Sequence, residues 1–126
     1  MSTKIELIIE KGEGQTLWGR VNYEDDLLTD EAESIQELEQ KMRRLLEDFH
    51  KLSDVEFSYS YDLSAFFETH DYLKVSKIAE LAGMNPSLLR HYAAGTKTAS
   101  ADQVKKIEDA VQAVANHLAS ISIIAA

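Results

Sequence analysis

Asn85, Ser87, Arg90 and His91 fall within seven residues and carry the chemistry of base recognition. A guanidinium forks onto the two acceptors that guanine shows in the major groove, and an asparagine amide can do the same for adenine. Arg90 is therefore the candidate for guanine and Asn85 for adenine or a phosphate, with Ser87 and His91 beside them. Lys77 before this group, and Thr96, Lys97 and Ser100 after it, are donors suited to phosphate oxygens, which fix register without reading sequence. That chemistry is binding, with no covalent step, and its natural target is double-stranded DNA.

Such side chains act together only if a helix presents them on one face. Residues 75–95, VSKIAELAGMNPSLLRHYAAG, have the spacing of a helix-turn-helix. Ala79 and Gly83 stand four apart: the small residue lets two helices cross closely and the glycine makes the turn. Asn85 as N-cap and Pro86 at the first helical position fix where the second helix starts. Leu88, Leu89 and Tyr92 then face inward, and an Ala-Gly pair ends the helix. The spacing predicts helices over Val75–Ala82 and Pro86–Ala94, a short one over Leu63–His70, and one capped by Ser100 that runs to about Leu118. Several short helices around such a motif match the compact DNA-binding domains of phage-type repressors.

The first half has a different rhythm. Ile5, Leu7 and Ile9 alternate with Glu6, Ile8 and Glu10; Leu17, Gly19, Val21 and Tyr23 alternate with Trp18, Arg20 and Asn22. Two strands follow from that period, joined by a glycine-bearing turn over 11–15. The acidic stretch 22–33 lacks strong periodicity and is expected to be an exposed loop. Ser34, with Glu37 three residues on, opens a helix over about 34–51, whose Ile35, Leu38, Met42, Leu45, Leu46 and Phe49 share a face. Glu37–Lys41 and Glu39–Arg43 are spaced as ion pairs along it. Val55–Tyr61 is β-branched and aromatic, a third strand. The expectation is an α+β chain: a ββαβ domain over 1–62, then an all-helical DNA-binding domain over 63–126. The apolar tail Ile121–Ile124 is expected to add a short C-terminal strand to this sheet or to a partner's.

Charge divides at the same place. The net charge of −9 argues against phosphate binding until it is located. Residues 1–62 hold 7 basic and 16 acidic side chains, whereas 63–126 hold 6 of each. Within 74–106 the balance is a local +4. Two segments of different charge point to two different partners. The chain has no cysteine, no apolar run near 18 residues and no signal-like N-terminus, which suits a cytoplasmic protein without disulfides.

The order IELIIEKGEGQTLWGRVNYEDDLLT, capped helix SIQELEQKMRRLL and VEFSYSY resembles the HicB antitoxins of HicAB toxin–antitoxin systems. The resemblance covers most of the chain. It rests on Trp18-Gly19-Arg20-Val21, on the acidic stretch leading into a capped helix, and on the helix-turn-helix that follows. It implies a partial RNase H-like N-terminal domain that masks a small basic ribonuclease toxin. It also implies a C-terminal domain that binds its own operator, as a homodimer, and represses transcription. Where that family often carries a Pro–x–Leu–Pro–Gly-like turn, this chain has Tyr23-Glu24-Asp25-Asp26-Leu27-Leu28.

Other readings are weaker. An RNase H-like nuclease needs three or four converging carboxylates, but Glu6 and Glu10 share one strand face and Glu24, Asp25 and Asp26 sit in the acidic stretch. His50, His70, His91 and His117 are scattered, so neither a metal site nor a cofactor is expected. The reading in competition with DNA binding is an orphan regulator without a toxin, or a pure protein-interaction module. For a dimer interface the candidates are Ile121–Ile124 and the first-half sheet.

Overall fold

The computed structural model describes residues 2–126, which form an α+β chain of two compact units that divide between Phe66 and Phe67. In the first unit β1 (Thr3–Lys11), β2 (Leu17–Tyr23), β3 (Asp26–Ala32) and β4 (Val55–Tyr61) make a mixed sheet in the order β3-β2-β1-β4. β2 is antiparallel to both neighbours, while β4 runs parallel to β1, with Ile5 opposite Phe57 and Ile9 opposite Tyr61. A parallel pair needs a crossover, and α1 (Ile35–His50) lies in the connection between β3 and β4.

The alternation in β1 and β2 sorts as its period requires: Ile5, Leu7, Ile9, Leu17 and Val21 are buried on the face that α1 covers with Leu38, Met42 and Leu46. Gly19 belongs to that face. A Cβ there would come within 2.8 Å of the Leu38 side chain, so the missing side chain is what lets Leu38 reach the sheet. Ser34 caps α1 as its sequence demands, its hydroxyl accepting the Glu37 N–H at 3.1 Å. Glu37 pairs with Lys41 at 3.3 Å. The pairing expected of Glu39 and Arg43 does not form: Glu39 accepts the Tyr59 hydroxyl, and Arg43 bonds the Val55 carbonyl and stacks over Phe57, 4.8 Å from its centroid.

Three expectations fail here. The stretch 22–33 is not a loop but β3, reached through a two-residue turn in which Glu24 and Asp25 take φ of 49° and 66°. The domain is therefore βββαβ, not ββαβ. β3 is an edge strand whose buried face is only Leu28 and Ala32, and its acidic residues hide that thin alternation while protecting the edge. His50 fastens this hairpin from α1, bonding Asp26 at 3.0 Å and meeting Tyr23 edge-on. Phe49 lies on the apolar stripe of α1 yet is 66% exposed: in the last turn it is His50, not Phe49, that meets the β2–β3 hairpin. Of the two places expected for the tail, the first is not taken: residues 120–126 add no strand to this chain's own sheet, which ends at β3 and β4, and Ile121, Ile123 and Ile124 are exposed.

α2 (Leu63–Thr69), capped by Asp62, carries the chain across the division between the units. The second unit holds α3 (Val75–Leu81), α4 (Pro86–Ala94) and α5 (Ala101–Ala119). Its core is Phe67, Ile78, Ala79, Met84, Leu89, Tyr92, Ile107 and Ala110. Among the described residues no helix is long and apolar enough to cross a membrane.

Candidate nucleic-acid interface

The turn between α3 and α4 is built by its backbone. Gly83 takes φ +68°, its N–H bonds the Glu80 carbonyl at 3.2 Å, and the Met84 N–H reaches back to Ala79 at 2.9 Å. Those two bonds are the Schellman pair that closes a helix on a left-handed residue. A Cβ on Gly83 would meet nothing within 4 Å, so the requirement is conformational rather than steric. Met84 then buries itself, Ala79 is wholly buried, and α4 begins two residues on.

α4 starts where its sequence places it. Asn85 Oδ1 accepts the Ser87 N–H at 2.8 Å, and Pro86 fills the position whose N–H would have no partner. Leu89 and Tyr92 turn inward, and Leu88 is half-buried. Ser87, Arg90 and His91 come out together on the exposed side, with Ala94 completing the face. Helical spacing of three and four residues puts them side by side.

Not all eight candidate residues are equally free. Asn85 has committed its carbonyl oxygen to the cap, which leaves its amide N–H groups. His91 Nδ1 lies 2.9 Å from the Thr96 hydroxyl, which also bonds the His91 carbonyl at 3.2 Å, so these two hold each other and fix the end of α4. The Ser100 hydroxyl accepts the Gln103 N–H at 3.2 Å as the cap of α5 and keeps its own proton to donate. Lys77 faces Glu80 across 3.4 Å on an exposed helix turn, a pair of small energetic weight. Arg90 makes only a 3.5 Å approach to Ser87, and Lys97 has no ion pair among the described residues. Arg90, Ser87 and Lys97 are therefore the donors with most capacity left for a ligand. The His91–Thr96 bond, invisible in spacing, is signalled only by the Gly95 stop that folds Thr96 back over the helix end.

The other face of interest is the open side of the sheet in the first unit. It carries Glu6, Glu10, Glu31 and Glu56 against Lys4 and Arg20, with Trp18 42% and Leu27 57% exposed. Glu10 holds Arg20 at 2.6 Å and Glu6 accepts the Ser60 hydroxyl at 2.6 Å. A shallow depression beside Trp18 is lined by Glu10, Arg20 and Thr29. Trp18 thus packs on the sheet face and not in the core, with its indole against the turn that contains Gly12. Among the described residues no three His, Cys, Asp or Glu side chains gather as metal ligands. Compared with known proteins, the chain matches no family model, no curated protein and no solved structure.

Proposed function

We propose that the chain is a HicB-like antitoxin and transcriptional repressor: α3 and α4 form a helix-turn-helix that binds operator DNA, and the acidic first unit masks a small basic ribonuclease toxin. The observation that carries the DNA reading is the glycine turn and Asn-Pro start. Together they bring Ser87, Arg90 and His91 out on one exposed face, close in sequence to Lys97. Leu89 and Tyr92 anchor that helix from behind, so its exposed face is held for docking into a groove. The toxin reading draws on the excess of acid in residues 1–62, which suits a basic partner and speeds its association.

The test is a gel shift on the DNA upstream of the chain's own gene. Arg90→Ala should weaken the specific site by about 1–3 kcal/mol, while Lys97→Ala should weaken all sequences alike. If both variants held the fragment as tightly as the parent, this face would not be the interface. The second reading is a protein-interaction module, or an orphan regulator with no toxin. Tyr72 and Leu81, 77% and 62% exposed in the same unit, favour the module. Absence of any shift at low salt would select it. A short basic reading frame next to this one, whose product forms a complex with the chain, would support the antitoxin role over the orphan.

A further inference from the structure

The sheet of the first unit has two edges, and they are finished differently. β3 ends it on one side with Asp26, Asp30 and Glu31, and Lys41 reaches from α1 to the Glu31 carbonyl at 2.8 Å. Charge of that kind deters a further strand. β4 ends it on the other side with VEFSYSY, which has no Lys, Arg, Pro or Gly and stays in register with β1 along its whole length. The direction of its backbone groups follows from the ladder. The Thr3 N–H bonds the Asp54 carbonyl and the Asp62 N–H bonds the Ile9 carbonyl, so Glu56, Ser58 and Ser60 between them face β1. Val55, Phe57 and Tyr59 therefore turn their N–H and C=O groups outwards, where no strand lies. Arg43 takes the Val55 carbonyl, and that leaves the donors and acceptors of Phe57 and Tyr59 as an open template.

We propose that this edge receives an extended segment of a basic partner, which adds a strand beside β4 and bonds the main chain of Phe57 and Tyr59. Charge names the partner. Side chains along β4 alternate between two faces, and a strand laid beside it continues both. On the open face the newcomer meets Glu56, with Lys4 opposite it and Glu6 beside Ser58 one strand further in. On the other face it meets Tyr59, 46% exposed, and behind it Phe57, where the stacked guanidinium of Arg43 disfavours a second cation. A segment that alternates Lys or Arg with β-branched or aromatic residues answers both rows. Residues 1–62, which carry the edge, hold 16 acidic side chains against 7 basic, and they draw such a segment in. This mode, which rests on the reading that the acidic unit meets a basic partner, divides the labour: main-chain bonds supply the grip and Glu56 the choice of charge.

Amide hydrogen exchange of the full chain, followed by NMR at low salt, tests it with synthetic peptides of about eight residues that alternate Val with Lys or Val with Glu. The Val/Lys peptide should slow exchange at Phe57 and Tyr59, and the Val/Glu peptide should not. Tyr59→Pro removes an N–H that β1 does not use, a change an edge strand tolerates, and should weaken the Val/Lys peptide by about tenfold or more. Tyr59→Phe loses the bond to Glu39 but keeps the edge, and should bind as the parent does. Glu56→Lys, a change at an exposed side chain, should also weaken the Val/Lys peptide, and decides the matter even if the proline variant does not fold. A Val/Lys peptide that leaves these two amides unprotected overturns the proposal, as does a Glu56→Lys or folded Tyr59→Pro chain that binds it as tightly as the parent. Slow exchange at the same amides that grows with chain concentration and needs no peptide would give the edge to a second copy, and overturns it too. A basic toxin that fails to bind would remove the antitoxin role alone and leave the peptide results standing.

Discussion

Tyr59 gives its hydroxyl proton to Glu39, and that one bond sets its chemistry. The bond to the carboxylate holds the phenol neutral, and partial burial and the Glu39 charge add to it, pushing the pKa up to about 12. An unfolded tyrosine ionises near about 10, so the bond's contribution to stability is whole below that pH and is lost as pH rises through about 12. Titration of phenolate absorbance should show a step near about 12, and Glu39→Ala should draw that step down. A step unmoved by the substitution would mean that Glu39 is not its cause. The same residues mark how far spacing reaches. Glu37–Lys41 and Glu39–Arg43 look alike in sequence, yet only the first pair forms, because β4 brings Tyr59, Phe57 and the Val55 carbonyl alongside α1. The binding candidates divide likewise: Arg90 comes out open, whereas His91 and Thr96 satisfy each other.

Among the elements, those with strong local signals formed at their expected places. β1, β2, α1 and α4 each have a clean period or a cap, and helix starts at Ser34, Asn85 and Ser100 are fixed by side chains bonding the backbone within three residues. β3 was hidden since its alternation is shallow and its turn uses no glycine. Glu24 and Asp25 instead adopt a left-handed backbone that costs an L-residue roughly 1–2 kcal/mol. Asp25→Gly should therefore raise stability, by up to ~1 kcal/mol after the larger entropy of the unfolded chain is set against it. Gly83→Ala is the mirror case at φ +68° and should lower it by about 1 kcal/mol or more. Thermal melts of the two variants check both signs at once. A destabilised Asp25→Gly chain would show that the hairpin carries no strain there.

For the whole molecule, the division of charge matters more than its sum. If the second unit binds operator DNA, the two lysines assigned to phosphates, Lys77 and Lys97, give a slope of about −2 in log K against log salt for each chain. A slope near zero in a filter-binding salt series would remove phosphate contact from the reading, whatever the base preference. The acidic first unit would then be the main determinant of partner choice.

By itself the sequence determined the local structure wherever cause and effect lie within one turn or one strand: the caps, the glycine turn, the alternation of β1 and β2, and the α+β class. Tertiary structure decided whatever depends on what lies opposite. It paired β4 parallel to β1, made an edge strand of an acidic stretch, and left Phe49 and the end of α5 uncovered. The reason is physical: an apolar stripe encodes that a face wants burial, and only the arrangement of the other elements determines whether anything is there to bury it.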